Sequence, residues 1–349
     1  MDASWIDSPA VTSLEGANAL IRAARQGMTS ALTTLASADG ADVNSVDALG
    51  CTALMHAASE GQMASIKLLL ADGRVNVNAA SGSGWTALLY ASFHGHCEIV
   101  CELLAAGVDV NSASNDGVTA LILAAQEGHA SIVTALLGAR RVDVNASNAE
   151  GDTALKQAAQ QGHTEVVVSL LADEGTSVNT TDTMGNTALM MAAEAGYVAI
   201  IAALLGLQGL SVNKKNADGA TALTLAAQEG QLAAVVALLA CEEVEVNAAG
   251  DDGGSTALVL AAKEGHAAVV DALLACDAVD INAAEHSGWT ALNRAAQRGH
   301  TEIVAALLAR PSIDVNSTGK GGWSPLMSAA FHGHTEVVKA LRRVAQVRA

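Results

Sequence analysis

One block of 33 to 35 residues recurs along the whole chain, and that period constrains the fold more than any other feature. Taking Thr153 as the marker, the equivalent positions are Asn18, Thr52, Thr86, Thr119, Thr187, Thr221, Thr256, Thr290 and Ser324. The steps between them are 34, 34, 33, 34, 34, 34, 35, 34 and 34 residues. In the block that holds Thr153, the threonine caps a short helix whose inward face carries Ala154, Leu155, Ala158 and Ala159. Gly162 ends that helix in a tight reversal. A second helix follows and buries Val166, Val167, Leu170 and Leu171. The rest of the block, rich in Gly, Asn, Asp and Ser, reads as a projecting turn. A helix pair this short cannot bury its apolar faces alone, so each block must stack on its neighbours.

The Gly-x-Thr-Ala-Leu opening, the Ala-Ala-x-x-Gly-His centre and the Val-Asn ending resemble ankyrin repeats. Ten of them cover residues 13–349, after a lead-in over 1–12, and the terminal repeats act as caps. The opening departs from the family's Thr-Pro-Leu-His: only Pro325 keeps the proline, and the histidine after the leucine is absent throughout. The expectation is an all-α, elongated solenoid of stacked helix-turn-helix units with projecting β-hairpin-like turns. Repeat one has Gly27-Met28 in place of Gly-His and a more polar second helix, as suits an N-terminal cap.

Composition narrows the function. The 349 residues are 51% hydrophobic and only 2% aromatic, so the core is Ala, Val and Leu in thin layers. A net charge of -18 repels nucleic-acid phosphates and anionic membrane, leaving basic or apolar polypeptide surfaces as partners. The acidic N-terminus lacks the basic start and apolar centre of a secretion signal. The longest apolar run, Val198 to Leu205, is far too short to span a bilayer. A cytoplasmic monomer with reduced thiols is expected.

No catalytic set, cofactor or metal is read from the residues. His96, His129, His163, His266, His300 and His334 all start second helices after Gly, and six copies at one position mean scaffold. Cys97 and Cys101, with His94 and His96 just ahead of them, are the nearest approach to a metal site. The same His pair recurs at His332 and His334 with no cysteine, which favours ordinary repeat variation. Asn179 and Asn316 open glycosylation-type triplets but occupy the Val-Asn position, so both are taken as chance matches.

What varies between repeats carries the function. In proteins that this chain resembles, turn tips and first helices line a concave face that grips a partner. The variable places are the residue before the threonine (Ala17 in repeat one) and the pair between Ala-Ala and Gly-His. Repeats three and ten carry Trp85 with Phe93-His94 and Trp323 with Phe331-His332, and repeat nine carries Trp289. Large aromatics at such places are proposed as exposed anchors. Glu127, Glu194, Glu229 and Glu264 are read as an acidic stripe in register between them, and Arg298 adds a basic element near the C-terminal end. The resemblance therefore implies a protein-binding scaffold, or alternatively the targeting or regulatory region of a larger signalling protein or enzyme.

Overall fold

The computed structural model describes residues 19–348, except 39–40 and 251–252, with backbone alone for 345–348. Asn18, Ala17 and the lead-in over 1–12 lie outside the described residues. The chain forms two compact bodies, Met1–Thr176 and Ser177–Ala349, and among the described residues each contains five helix pairs in series. Within each body, first helices pack on first helices of the adjacent repeats and second helices on second helices. Each body is thus a stacked helix-turn-helix solenoid.

Local chemistry explains the helix limits. In repeat five the Thr153 hydroxyl accepts from the Lys156 amide at 3.4 Å and starts the helix Ala154–Gln161. Gly162 ends it with φ +81°, a left-handed conformation that a side chain would strain. The Ala-Ala pair is fully buried in most repeats, which lets first helices approach closely. The second helix Thr164–Leu171 buries Val166, Val167 and Leu170, while Leu171 stays half-buried. In repeat one the second helix, Thr29–Ala36, buries only Leu32.

Two side-chain staples join consecutive repeats inside a body. The histidine that starts the second helix reaches back to the last turn of the preceding first helix. His96 Nε2 donates to Ser59 O at 3.0 Å, His129 to Phe93 O at 3.1 Å and His163 to Gln126 O at 2.9 Å. In the second body His266, His300 and His334 bond in the same way to Gln228, Lys263 and Gln297. The imidazole lies over the reversal glycine of that earlier repeat: a Cβ on Gly128 would stand 2.6 Å from His163 Nδ1. The Val-Asn asparagine reaches forward instead. Asn111 Nδ2 donates to Arg141 O at 2.8 Å while its Oδ1 accepts from Asp143 N at 2.8 Å. Asn179 does the same with Gly209 and Ser211, so its amide nitrogen is already committed.

The β-hairpin-like turns need correction. Among the described residues the tips contain no strand, only isolated bridges such as Val46 to Thr52 and Ala113 to Thr119. The cause lies in where the backbone groups of a tip go. In repeat two, Asp47 Oδ1 takes the amides of both Leu49 and Cys51 at 2.9 Å, and Leu49 O accepts from Gly82 N of the next tip at 2.9 Å. Ser83 O likewise accepts from Asn115 N at 3.0 Å. With donors and acceptors spent on side chains and on the adjacent tip, no second rung forms between the two arms.

Candidate functional site

In repeats three and ten, three positions come together: the residue before the capping hydroxyl residue, and the seventh and eighth residues after it. The tip supplies the first, and the last turn of the first helix supplies the other two. In repeat three, Trp85 meets Tyr90 with ring centroids 5.0 Å apart and Phe93 edge-on at 5.8 Å. Phe93 in turn stands edge-on to His94 at 5.0 Å. Trp85 is only 8% exposed, and Phe93 and His94 are half-buried. The expected exposure of Trp85 is therefore corrected. Tyr90, four residues after Thr86, provides a second ring that closes over the indole, and the variable positions alone gave no sign of it.

Repeat ten repeats the pattern with a different outcome. Trp323 and Phe331 stand edge-on at 5.3 Å, and Phe331 and His332 at 5.1 Å. The residue that corresponds to Tyr90 is Ser328, which is buried and offers no ring. Phe331 is 73% exposed, and Met327, one helical turn before it, is 50% exposed. Trp323 is half-buried and His332 exposed.

Trp289 of repeat nine is half-buried between two neighbours. The Arg294 guanidinium stands over its ring, 4.8 Å from the centroid, and a Cβ at Gly319 would fall 2.4 Å from its Nε1. Arg294 is held in turn by Glu285, whose carboxylate accepts from Nε at 3.1 Å and from a terminal guanidinium nitrogen. Trp289 is thus fixed by the scaffold on both faces.

The acids are all exposed, but their register is less uniform than expected. Glu127, Glu229 and Glu264 are the eighth residues after their threonines, whereas Glu194 is the seventh, the place of Phe93 and Phe331. Glu60 is an eighth-position acid that the sequence reading omitted; it is exposed and paired with Arg25 at 3.0 Å. Arg298, exposed at the eighth position of repeat nine, follows directly on Glu264 of repeat eight. The Lys263 ammonium beside Glu264, with help from Arg298, holds that carboxyl below the usual carboxylate range. At the junction of repeats eight and nine an acid thus meets a basic group.

The cysteine-histidine group of repeat three does not gather. His96 is committed to the Ser59 carbonyl, and Cys97 is half-buried while Cys101 is exposed. Among the described residues, three ligand-type side chains converge only at Asp47, Cys51 and His56. All five cysteines are free, and among the described residues no helix is long and apolar enough to cross a membrane.

A family model described as ankyrin repeats (3 copies) matches residues 20–114, 121–216, 189–285 and 278–348. No curated protein matches the chain. The matched family is a non-catalytic, all-helical scaffold, in keeping with histidines that serve as staples. These matches cover nearly all of the stacked helix pairs, and the chain belongs to the ankyrin-repeat family.

Proposed function

We propose that the chain is a monomeric, cytoplasmic protein-binding scaffold that grips a polypeptide along the face formed by its tips and first-helix ends. The observation that carries this reading is the cluster at repeat ten, where Phe331, Met327 and Trp323 present apolar surface. In a chain that is only 2% aromatic, a phenylalanine left 73% exposed is a costly placement unless a partner covers it. The exposed Glu127, Glu194, Glu229 and Glu264 favour a partner that adds basic residues to an apolar anchor. His332 and Arg298 contribute polar contacts at the repeat-ten end, near which Trp289 is held by Arg294. Phe93 and His94 form a smaller, half-buried counterpart in repeat three, backed by Trp85.

The test is capture of partners from the source cells by the full chain and by variants. Phe331→Ala with Met327→Ala should leave helical content and melting close to the parent's, because both side chains are largely in solvent. Captured partner should fall by roughly 10- to 100-fold, the weight of a lost aromatic anchor. Changing Glu98, Glu165, Glu302 and Glu336, which lie on second helices, should have little effect. Equal losses from both sets would remove this face from consideration.

A further inference from the structure

Asp47, Cys51 and His56 come from one repeat: the first two from its tip, the third from its first helix, Ala53–Ser59. His56 Nε2 and Asp47 Oδ2 are 2.8 Å apart, and with Cys51 Sγ the three atoms lie within 4.8 Å of one another. The carboxylate is 4% exposed, the imidazole 11%, and Cys51 4%. We propose that these three side chains form a binding site for a divalent transition cation of the zinc type.

The donor set suits that chemistry. One thiolate, one imidazole and one carboxylate match the soft-to-borderline preference of zinc and are a poor match for calcium or magnesium, which take oxygen ligands. Bonds of about 2.0 to 2.3 Å to a tetrahedral ion place its ligand atoms roughly 3.5 Å apart. The Asp47-His56 pair therefore opens by less than about 1 Å and the thiol closes by about 1 Å, a rotamer-scale adjustment. Three protein ligands leave one position for water.

An outer shell is in place as well. The other carboxylate oxygen of Asp47 is held by the Leu49 and Cys51 amides at 2.9 Å, which fixes the orientation of the ligand oxygen. Tyr90 Oη stands 3.4 Å from Cys51 Sγ and can donate to a thiolate there. Because Tyr90 belongs to repeat three, a bound ion would tie two repeats together at the tip.

The same three positions in other repeats show what the scaffold does without a metal. Repeat nine has Glu285, Trp289 and Arg294, where the guanidinium neutralises the carboxylate. Repeat five has Asn148, Asp152 and Gln157, and repeat six has Asp182, Asn186 and Met191. Neither a thiol nor an imidazole occurs in any of these. The competing account of repeat two is a plain Asp47-His56 ion pair like Glu285-Arg294, with Cys51 incidental.

Cobalt(II) distinguishes the two accounts, since a thiolate ligand gives it a near-ultraviolet charge-transfer band and tetrahedral coordination gives it strong visible bands. The full chain, stripped with chelator, should take up one cobalt with both signatures, and zinc should displace it. Cys51→Ser should abolish the charge-transfer band, and Cys97→Ser with Cys101→Ser should leave it intact. Asp47→Asn keeps an acceptor for the two tip amides, as Asn148 does in repeat five, so it retains the fold. It should weaken cobalt binding by at least the roughly 10- to 100-fold that outer-shell changes alone produce. No thiolate-cobalt band in the parent would overturn the site and leave the ion-pair account. A band that survives Cys51→Ser and disappears with the Cys97 and Cys101 changes would equally overturn it.

Discussion

The histidine staple can be tested by a double-mutant cycle on Gly128 and His163. His163 Nε2 donates to Gln126 O at 2.9 Å, and its ring occupies the space that a Cβ on Gly128 would need. His163→Ala removes one neutral hydrogen bond; Gln126 is half-buried, so its carbonyl can turn to water and the loss stays near 1 kcal/mol. Gly128→Ala puts a methyl on a residue with φ +77°, worth about 1 kcal/mol of left-handed strain. It also displaces the imidazole, which adds the staple's own roughly 1 kcal/mol. In the double variant the ring is already gone, so only strain and staple count, about 2 kcal/mol together. The three values give a coupling of about -1 kcal/mol (2 minus 2 minus 1). Amide hydrogen exchange over peptides spanning 120–171 reads these costs locally and avoids assuming that a repeat array unfolds in one step. Costs that simply add, near 3 kcal/mol for the double change, would show that the ring does not rest over Gly128.

Other perturbations follow from the same structure. Asp152→Ala removes the carboxylate that holds the buried Lys156 ammonium at 2.7 Å and should cost roughly 3 kcal/mol in thermal or urea melts. Adding Lys156→Met, the residue type found at Met190 in repeat six, should recover most of it. Arg141 is the one non-glycine among the described residues with a positive φ, +67°, where repeat three has Gly107 and repeat six has Gly209. Arg141→Gly should therefore stabilise the first body by about 1 kcal/mol in urea unfolding. Burial alone would raise the Asp47 carboxyl, but hydrogen bonds from the Cys51 amide, His56 and the Leu49 amide outweigh it and hold the group below its ordinary value. Its contribution is thus complete above the unfolded carboxylate value of about 4 and is lost as pH falls through the lower folded value, so Asp47→Asn should flatten stability against pH on the acid side.

Much of the fold was legible because it repeats. The capping threonines, the left-handed glycines and the buried Ala-Ala pairs each act within a few residues, and period and residue type reveal them together. The second helices were read nearly as well, with Leu171 as the small error. What sequence did not reveal depends on contacts between distant residues. The tips lack strands because their backbone groups bond to Asp47-type side chains and to the neighbouring tip, which no local pattern reports. Trp85 is buried because Tyr90 closes over it, whereas Phe331 stays exposed beside Ser328. Counting each variable position strictly from its threonine would have separated Glu194 from the other acids and brought in Glu60. Asp47, Cys51 and His56 escaped notice because a chain reversal brings their side chains together from positions four and five residues apart.

The two staples point in opposite directions, and this bears on how such a chain can change length. At each internal seam stapled by a histidine, a carbonyl meets a ring on one side and a carboxamide meets a peptide group on the other, while between repeats six and seven Gln231 takes the place of the ring and donates to Glu194 O at 3.1 Å. Excising one whole period brings the next copy of both partners to the same seam, so the new junction is chemically the old one. A cut at any other spacing leaves both groups facing the wrong atoms. Gain and loss of complete repeats is therefore an easy change for this architecture, while a single residue more or less is absorbed outside the helix pair, as in the 33-residue step, which is one short ahead of Asn111, and the 35-residue step, which is one long between Asn247 and Thr256.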